Sequence, residues 1–540
     1  MDYSSQPDEV KKEISQILER HGRMATARST FENHWQECMD YINPRKGEVT
    51  SSRTPGDKRG AELFDTTAIM SLELLAGALH GMLTNPATQF FDFVMGDPDF
   101  DDDDEVKTWL QDSAQRVFHV MNNSNFQTEV HENYLDIGNI GTSCMFVGEH
   151  EKFVVHFNAR PIKEIFVAED NLGRIDTVHR EFDWTPRQII QEFGEENAHP
   201  YVLKKYKEGC EDKWKIIHAV APKQDDKPYF NYDSVYLLKE QKLRLHKGGF
   251  PEMPYAVPRW TKTAGEVYGR GPGMAMLPDI KMVNKMMETT LKGAQKTVDP
   301  PLMVSDDGVI GKVRLTPGGL TVVRQTNGDA PIRPLITDAR IDFGYQAVED
   351  VRKRIRSGFY VDQLQLNEGP QMTATEVMQR TEEKLRLMGP VLGRQHFEFL
   401  RPVIERVFAI MNRKKLIKPA PDKIKGKAFD VRYSSMIART QRMSEAQNIT
   451  RAFTVAAPII NASPQSMDVI NPDKYLRRIL DIHGVPSELN NTENEIKKIR
   501  DARAEAQAQA AQEQQQQHQA DMAQKVLPGV AAIQQSSKQQ

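Results

Sequence analysis

The run from Met274 to Val298 constrains the fold most, because its apolar residues recur at helical spacing until the stiff Asp299-Pro300-Pro301 stops it. Steps of about 100° per residue put Met276, Ile280, Val283, Met287, Leu291 and Ala294 on one stripe. Lys281, Lys285, Lys292 and Lys296 gather on the opposite face, within an arc of roughly 60°. From Leu302 to Ile336 the pattern is β, with glycine turns at Asp306-Asp-Gly308, Pro317-Gly-Gly319 and Asn327-Gly328. A second helix follows from about Ala339 to Phe359. There Arg352, Lys353, Arg354 and Arg356 spread around the wheel, so no comparable stripe forms.

The remaining segments flank this helix–β–helix unit. Helical spacing runs from Glu9 to Tyr41 (Val10, Ile14, Ile17, Leu18, Phe31, Trp35, Met39) and ends at Pro44. After a polar loop to about Arg59, a helix is expected from Thr66 to Leu83, stopped by Asn85-Pro86. Another should start near Glu105, behind the acidic stretch Asp97 to Glu105, and pass Met121. Between Cys144 and Leu245 short β-branched and aromatic runs predict strands, with a hairpin turn at Asp170-Asn-Leu-Gly173. A short helix there opens at Thr185, with Pro186 in its first position and Gly194 past its end.

Beyond the second long helix comes a loop, Asp362 to Met372, containing Gly369-Pro370. Thr373-Ala-Thr-Glu376 is a capping-box signature opening a helix of about 40 residues, with a kink expected at Gly389-Pro390. Phe429 to Val485 reads as short helical pieces. Past Ser487 a Gln/Ala/Glu tract is helical to about Lys525. The fold class is α+β and predominantly helical, in several domains.

Composition removes several function classes. With 39% apolar and 27% charged residues in 540, a large core is expected and wholesale disorder is not. A net charge of −4 argues against a chain that is basic all over, though local stripes escape such a sum. Cys38, Cys144 and Cys210 lie far apart, which supplies neither a disulfide framework nor a zinc site. No apolar run reaches the ~18–20 residues of a membrane span, and the N-terminus lacks a signal-peptide pattern. The protein is expected to be cytosolic when made.

No catalytic, cofactor or metal residues emerge. Gly269-Arg-Gly-Pro-Gly273 precedes a helix and could cradle a phosphate. It lacks the P-loop lysine, and Pro272 removes an amide donor, so a structural turn is expected. The acidic run Asp101 to Asp104 has no EF-hand spacing and reads as a solvated loop. His131-Glu132 would need a second histidine where Leu135 stands. There is no GxSxG elbow and no Cys/His pairing for a nucleophile.

The order of these elements resembles the portal proteins of tailed phages, specifically the head-to-tail connector family of short-tailed, T7-like phages. The residues carrying the likeness are Arg28, Phe31-Glu32, Trp35, Tyr41 and Pro44, then Gly269 to Lys281, Asn284 and Asp299-Pro-Pro-Leu302. Phe359-Tyr-Val-Asp362, Met372 to Val377, Arg380, Gly389-Pro390 and Leu400-Arg-Pro402 follow in order.

The resemblance implies a ring-forming subunit with wing, stem, clip, crown and C-terminal helical barrel. It assigns residues 1–270 to the wing, 271–301 to the first stem helix, 302–337 to the clip and 338–360 to the second stem helix. The channel loop would be 361–372, the long kinked helix of wing and crown 373–428, the crown 429–486 and the barrel with its Gln/Ala-rich tail 487–540. Implied partners are further copies of itself in a homododecamer ring, double-stranded DNA without sequence readout, major capsid and scaffold proteins, the terminase large subunit and the tail adaptor. No membrane and no cofactor are implied. The subunit would be assembled in the host bacterial cytoplasm and reside at the portal vertex of the virion.

Candidate DNA-channel residues are Lys281, Lys285, Lys292, Lys296, Arg352, Arg356, Gln363, Gln365 and Asn367. Candidate clip residues for terminase or tail docking are Asp306, Asp307, Lys312, Arg314 and Arg324. The bland alternative for the lysines is a solvated helix face. The alternatives for the chain are another oligomeric virion protein of the tail or internal core that conducts no DNA, and a divalent-metal nuclease using Asp97 to Glu105. If the lysine stripe lines a passage for phosphates, alanine at Lys285 and Lys292 leaves the ring intact and perturbs packaging or retention; a packaging assay on the double variant checks this.

Overall fold

The computed structural model describes residues 6–52, 54, 56–96, 103–223, 231–298, 302–304, 332–334, 341–364, 388–426 and 429–433, and beyond them residues 445, 448–458, 462, 463, 465, 471–482, 491, 495–514 and 517. The chain divides into two compact units. The first comprises residues 1–92, 113–418 and 431–438, and the second residues 93–112, 419–430 and 439–540.

In the first unit α1 (Asp8–Ile42) and α2 (Thr67–Leu83) match their expected spans, Glu9–Tyr41 and Thr66–Leu83, to within a residue. β1 (Phe91–Met95) and α3 (Asp104–Asn123), each divided between the two units, come next in the chain, then α4 (Phe126–Ile140) of the first unit, a separate helix that periodicity does not distinguish from α3. Strands β2 (Met145–His150), β3 (Val154–Ala159), β4 (Ile165–Glu169) and β5 (Ile175–Trp184) lead to α5 (Pro186–Phe193) and α6 (Pro200–Lys207). Then come β6 (Trp214–Pro222), β7 (Tyr232–Leu238), β8 (Leu243–Phe250) and β9 (Tyr255–Ala256). α5 starts as its sequence required. The Thr185 hydroxyl accepts from the Gln188 amide, the Gln188 side chain bonds back to the Thr185 N–H, and Gly194 ends the helix at φ 79°.

The strands form an antiparallel sheet of order β4-β5-β6-β7-β8 and a smaller one of order β3-β2-β9. Alternation along β6 divides the larger sheet's two faces. Ile217 and Ala219 join Val235 and Leu237 beneath Ile17 and Leu18 of α1. On the other face Ile216, Phe182 and Leu238 pack against Ile189, Ile190 and Val202 of α5 and α6. Three buried arginines tie separate elements together. Arg28 of α1 donates to the carbonyls of Ile162, Lys163 and Ile165 and lies 3.8 Å from the Phe166 ring centroid. Arg406 donates to Val147 and Glu252 carbonyls. Arg259 holds Glu398 through two nitrogens and also bonds Glu169.

Two long helices, α7 (Pro272–Val298) and α8 (Ile341–Gly358), leave this body, with the short α9 (Val361–Leu364) after them. Of the β insert between them, β10 (Leu302–Val304) and β11 (Ile332–Pro334) pair antiparallel, and the rest lies outside the described residues. The capping box at Thr373 lies outside them too. The turn ahead of Gly389-Pro390, where the expected kink would show, lies outside the described residues; 388–395 are helical and pass into a π turn at His396–Leu400 ahead of α10 (Arg401–Arg413). Pro402 supplies the reason, since it has no N–H to donate back into the preceding turn.

In the second unit Asp103 accepts from the Glu105 and Val106 amides and pairs with Lys423 at 2.5 Å. The described end of the acidic run therefore caps a helix. The segment expected to be helical from Phe429 opens instead with a strand, β12 (Phe429–Tyr433), because Phe429, Val431 and Tyr433 alternate with charged residues. Helical residues 448–458 and α11 (Pro472–Ile482) meet through Phe453 and Tyr475, 4.6 Å between ring centroids. Among the described residues no helix is long and apolar enough to cross a membrane.

Two histidines of the large sheet are buried neutral. His179 has no hydrogen-bond partner at either nitrogen, and burial, with His21 and Arg20 beside it, lowers its pKa to about 3. His218, bonded to Tyr255 and Ser234, is pushed well below its ordinary range by burial first and by Arg180 and Arg160 next. Below pH ~6.5 the unfolded chain takes up protons that these folded groups refuse, so stability falls as pH drops. Each contributes up to about 1.4 kcal/mol per pH unit. Urea midpoints should be level above pH 7 and fall between pH 6.5 and 5, with a shallower fall in His179→Phe.

Candidate nucleic-acid interface: the root of the two long helices

The first turn of α7 is fixed by backbone contact. α4 ends at Gly141, whose φ of 78° is the left-handed conformation that glycine adopts without strain. A Cβ at Gly141 would collide with the backbone of Arg270 and Gly271. Equivalent atoms at Gly269, Gly271 and Gly273 would meet the backbone of Gly141, Ile137 and Asn139. The Gly269 amide donates to Thr142 Oγ1 at 2.8 Å, and Thr261 pairs with Arg270 as a β-bridge. Gly269 to Gly273 is thus a close-packed structural turn, as its sequence implied.

A second fastening lies two to three turns along α7. Buried Asn284 accepts from the Phe64 amide at 2.7 Å and the Asp65 amide at 3.3 Å, and donates to the Glu62 carbonyl at 2.9 Å. From α8, Arg352 reaches the same segment and pairs with buried Asp65 at 2.6 Å while also holding Glu349. Desolvation opposes ionisation of Asp65, but hydrogen bonds from Thr67 and Arg352 outweigh it and lower its pKa. Both long helices therefore grip residues 62–65, just ahead of α2. Sequence reasoning missed this clamp. Its one visible signal was a buried-stripe neighbour, Asn284, that cannot remain unbonded away from water.

Beyond the clamp the cover ends. Ile280 and Val283 are buried, whereas Leu291 is 38% and Val298 87% exposed. The lysines divide accordingly. Lys281 is tied to Glu37 of α1 at 2.6 Å and sits 5.8 Å from the Tyr41 ring centroid. Lys285 and Lys292, with 75% and 64% of their side chains exposed, share Glu288 at 2.8 and 2.5 Å. Those two hydrogen bonds lower the Glu288 pKa to about 2. Lys296 and Arg356 are exposed. Arg352 is committed to the clamp, and the Gln363 side-chain oxygen is buried without a partner. Gln365, Asn367, Asp306, Asp307, Lys312, Arg314 and Arg324 lie outside the described residues.

The discarded chemistry stays apart. Glu132 is held by Lys46 and Arg45, and His131 lies 3.5 Å from Glu73. Among the described residues no group of three His, Cys, Asp or Glu side chains is placed to hold a metal ion.

The site is a rooted pair of long helices leaving an α+β body. Comparison with known proteins makes the class specific. The family described as bacteriophage head to tail connecting protein matches residues 14–490. A probable portal protein of Bordetella phage BPP-1 is 30% identical over 525 residues, 94% of each chain. The portal protein of Salmonella phage epsilon15 is 29% identical over 542 residues, 97% of this chain and 95% of its own. A solved chain from the neck of an empty GTA particle aligns over 72% of this chain and 86% of its own length, at 10% identity and a TM-score of 0.36.

The chain belongs to the bacteriophage head-to-tail connecting family. Its function is that of a phage portal protein, a structural component of the virion.

The clamp predicts a separation of stability effects. Asn284→Ala leaves two amides and a carbonyl without their partner and should cost about 1–3 kcal/mol. Lys292→Ala, on the exposed face, should stay within ~0.5 kcal/mol of the parent. Urea unfolding of the two variants side by side checks both values.

Proposed function

We propose that this portal subunit closes into a dodecameric ring at one capsid vertex and conducts double-stranded DNA, without sequence readout, during packaging and ejection. The observation that carries the reading is the α7–α8 pair, clamped to residues 62–65 at its root and exposing Leu291 and Val298 beyond it. Helices that expose Leu291, Val298 and Tyr345 as a lone subunit gain cover when copies stand side by side. Closure by rotation requires heterologous contacts, with one face of each copy meeting a different face of the next.

In this reading residues 1–270 form the wing, 271–301 and 338–360 the stem, 302–337 the clip, 361–372 the channel loop, 373–428 the long helix of wing and crown, 429–486 the crown and 487–540 the barrel and tail. The clip docks the terminase large subunit and later the tail adaptor, and the outer body meets capsid and scaffold proteins during assembly in the host cytoplasm. DNA movement is driven by the terminase, and the portal itself performs no catalytic step.

Electron microscopy of the purified protein, viewed end-on after size-exclusion chromatography, tests the ring. The expected image is a ring near twelvefold with a hole wide enough for duplex DNA. Monomers or dimers at high concentration, with scaffold protein present as well as absent, would overturn the reading. Magnesium- or manganese-dependent cleavage of DNA would overturn the non-catalytic assignment.

A further inference from the structure

Lys285 and Lys292 of α7 are exposed, with Glu288 between them. α7 and α8 run antiparallel in a register fixed at three points. Met276 touches the position where Gly358 would carry a Cβ, Asp279 lies 3.7 Å from Arg354, and a Cβ on Gly344 would be 3.1 Å from Thr290 Oγ1. Interpolating between these points places Lys285 level with Glu349. Helical spacing sets Lys285 and Lys292 about half a turn away from Met276 and Thr290, on the side of α7 turned from α8. On α8, Glu349 and Asp350 are exposed, 48% and 77% at the side chain, while Val348, Val351 and Ile355 are buried.

Charge is sorted by height along the pair. Near the root α8 is basic, with Arg352, Lys353, Arg354 and Arg356, and there Arg352 is neutralised by Asp65 and Arg354 faces Asp279. One turn further from the root it becomes acidic at Glu349 and Asp350. That is the level at which α7 begins to expose unclamped lysines, from Lys285 onward. Copies related by pure rotation keep equivalent residues at one height, so where the helix pair stands along the rotation axis a level match inside one subunit is also a level match between neighbours.

We propose that in the assembled ring the lysine face of α7 pairs with the acidic stretch of α8 on the neighbouring copy, with Lys285 meeting Glu349. This rests on the ring reading above and names the contact that closes it. Glu288 then orients Lys285 and Lys292 for the neighbour.

The test joins cross-linking to charge reversal. With Cys210, the only cysteine not buried, changed to serine, Lys285→Cys and Glu349→Cys are combined in the full chain and treated with a short bis-maleimide. The two sites lie on outward sides of the helix pair, so cross-linking runs between copies and yields a ladder of covalent oligomers on a denaturing gel. In parallel, Lys285→Glu should deplete the ring peak in size-exclusion chromatography several-fold, and adding Glu349→Lys should restore it. Intact rings with no ladder, or rings indifferent to both reversals, overturn this pairing and leave the ring standing. Absence of rings in the parent protein overturns the ring and the pairing with it.

Discussion

The first turn of α7 lies against the C-terminal end of α4 with no side chain between them. Gly269, Gly271 and Gly273 supply that closeness on one side and Gly141 on the other, and any Cβ there would strike backbone that cannot rotate away. The direction in which the long helices leave the body follows from this contact. Because α7 is seated so low, Asn284 arrives beside residues 62–65, and Arg352 of the antiparallel partner arrives at Asp65. A displaced first turn would leave two amides and a carbonyl unpartnered away from water and would take Arg352 from Asp65, so one contact is reinforced by the next.

Elsewhere the first unit is held by charge as much as by apolar packing. Arg28, Arg259 and Arg406 are nearly inaccessible, and each spends most of its donors on carbonyl or carboxylate oxygens of a different element. Desolvating a guanidinium is costly, and its partners recover that cost only in one geometry. Such residues fix which helix lies over which strand, whereas Ile17, Leu18, Ile190 and Val202 would tolerate sliding. A body built this way is a rigid mount for helices whose outer halves remain uncovered.

Much of the local structure was legible in the sequence. Apolar residues at helical spacing gave α1, α2, α7 and α8 within a few residues, and Thr185, Pro186, Gln188 and Gly194 marked both ends of α5. The glycine turn before α7 was readable as structural because Pro272 spoils a phosphate cradle. The resemblance to portal proteins rested on residues spread from Arg28 to Pro402, those of the glycine turn among them, and the family membership agrees with it. A misreading arose where a local signal had a competitor: Phe429 opens a strand, because alternation over five residues outweighs the helical pieces that follow.

The sequence by itself determined most of the long helices, both ends of α5, and that one face of α7 is basic. Those properties depend on neighbours along the chain, at separations of two to four residues. Only the tertiary structure decided which charges are free. Lys281 meets Glu37, Arg352 meets Asp65, and Lys285 and Lys292 converge on Glu288. Two of these partners lie hundreds of residues away, and the helical wheel that groups four lysines on one face carries no information about what folds against each of them. Whether a charge is used within the subunit or left for another molecule is settled by burial and long-range contact, and these exist only once the chain has packed.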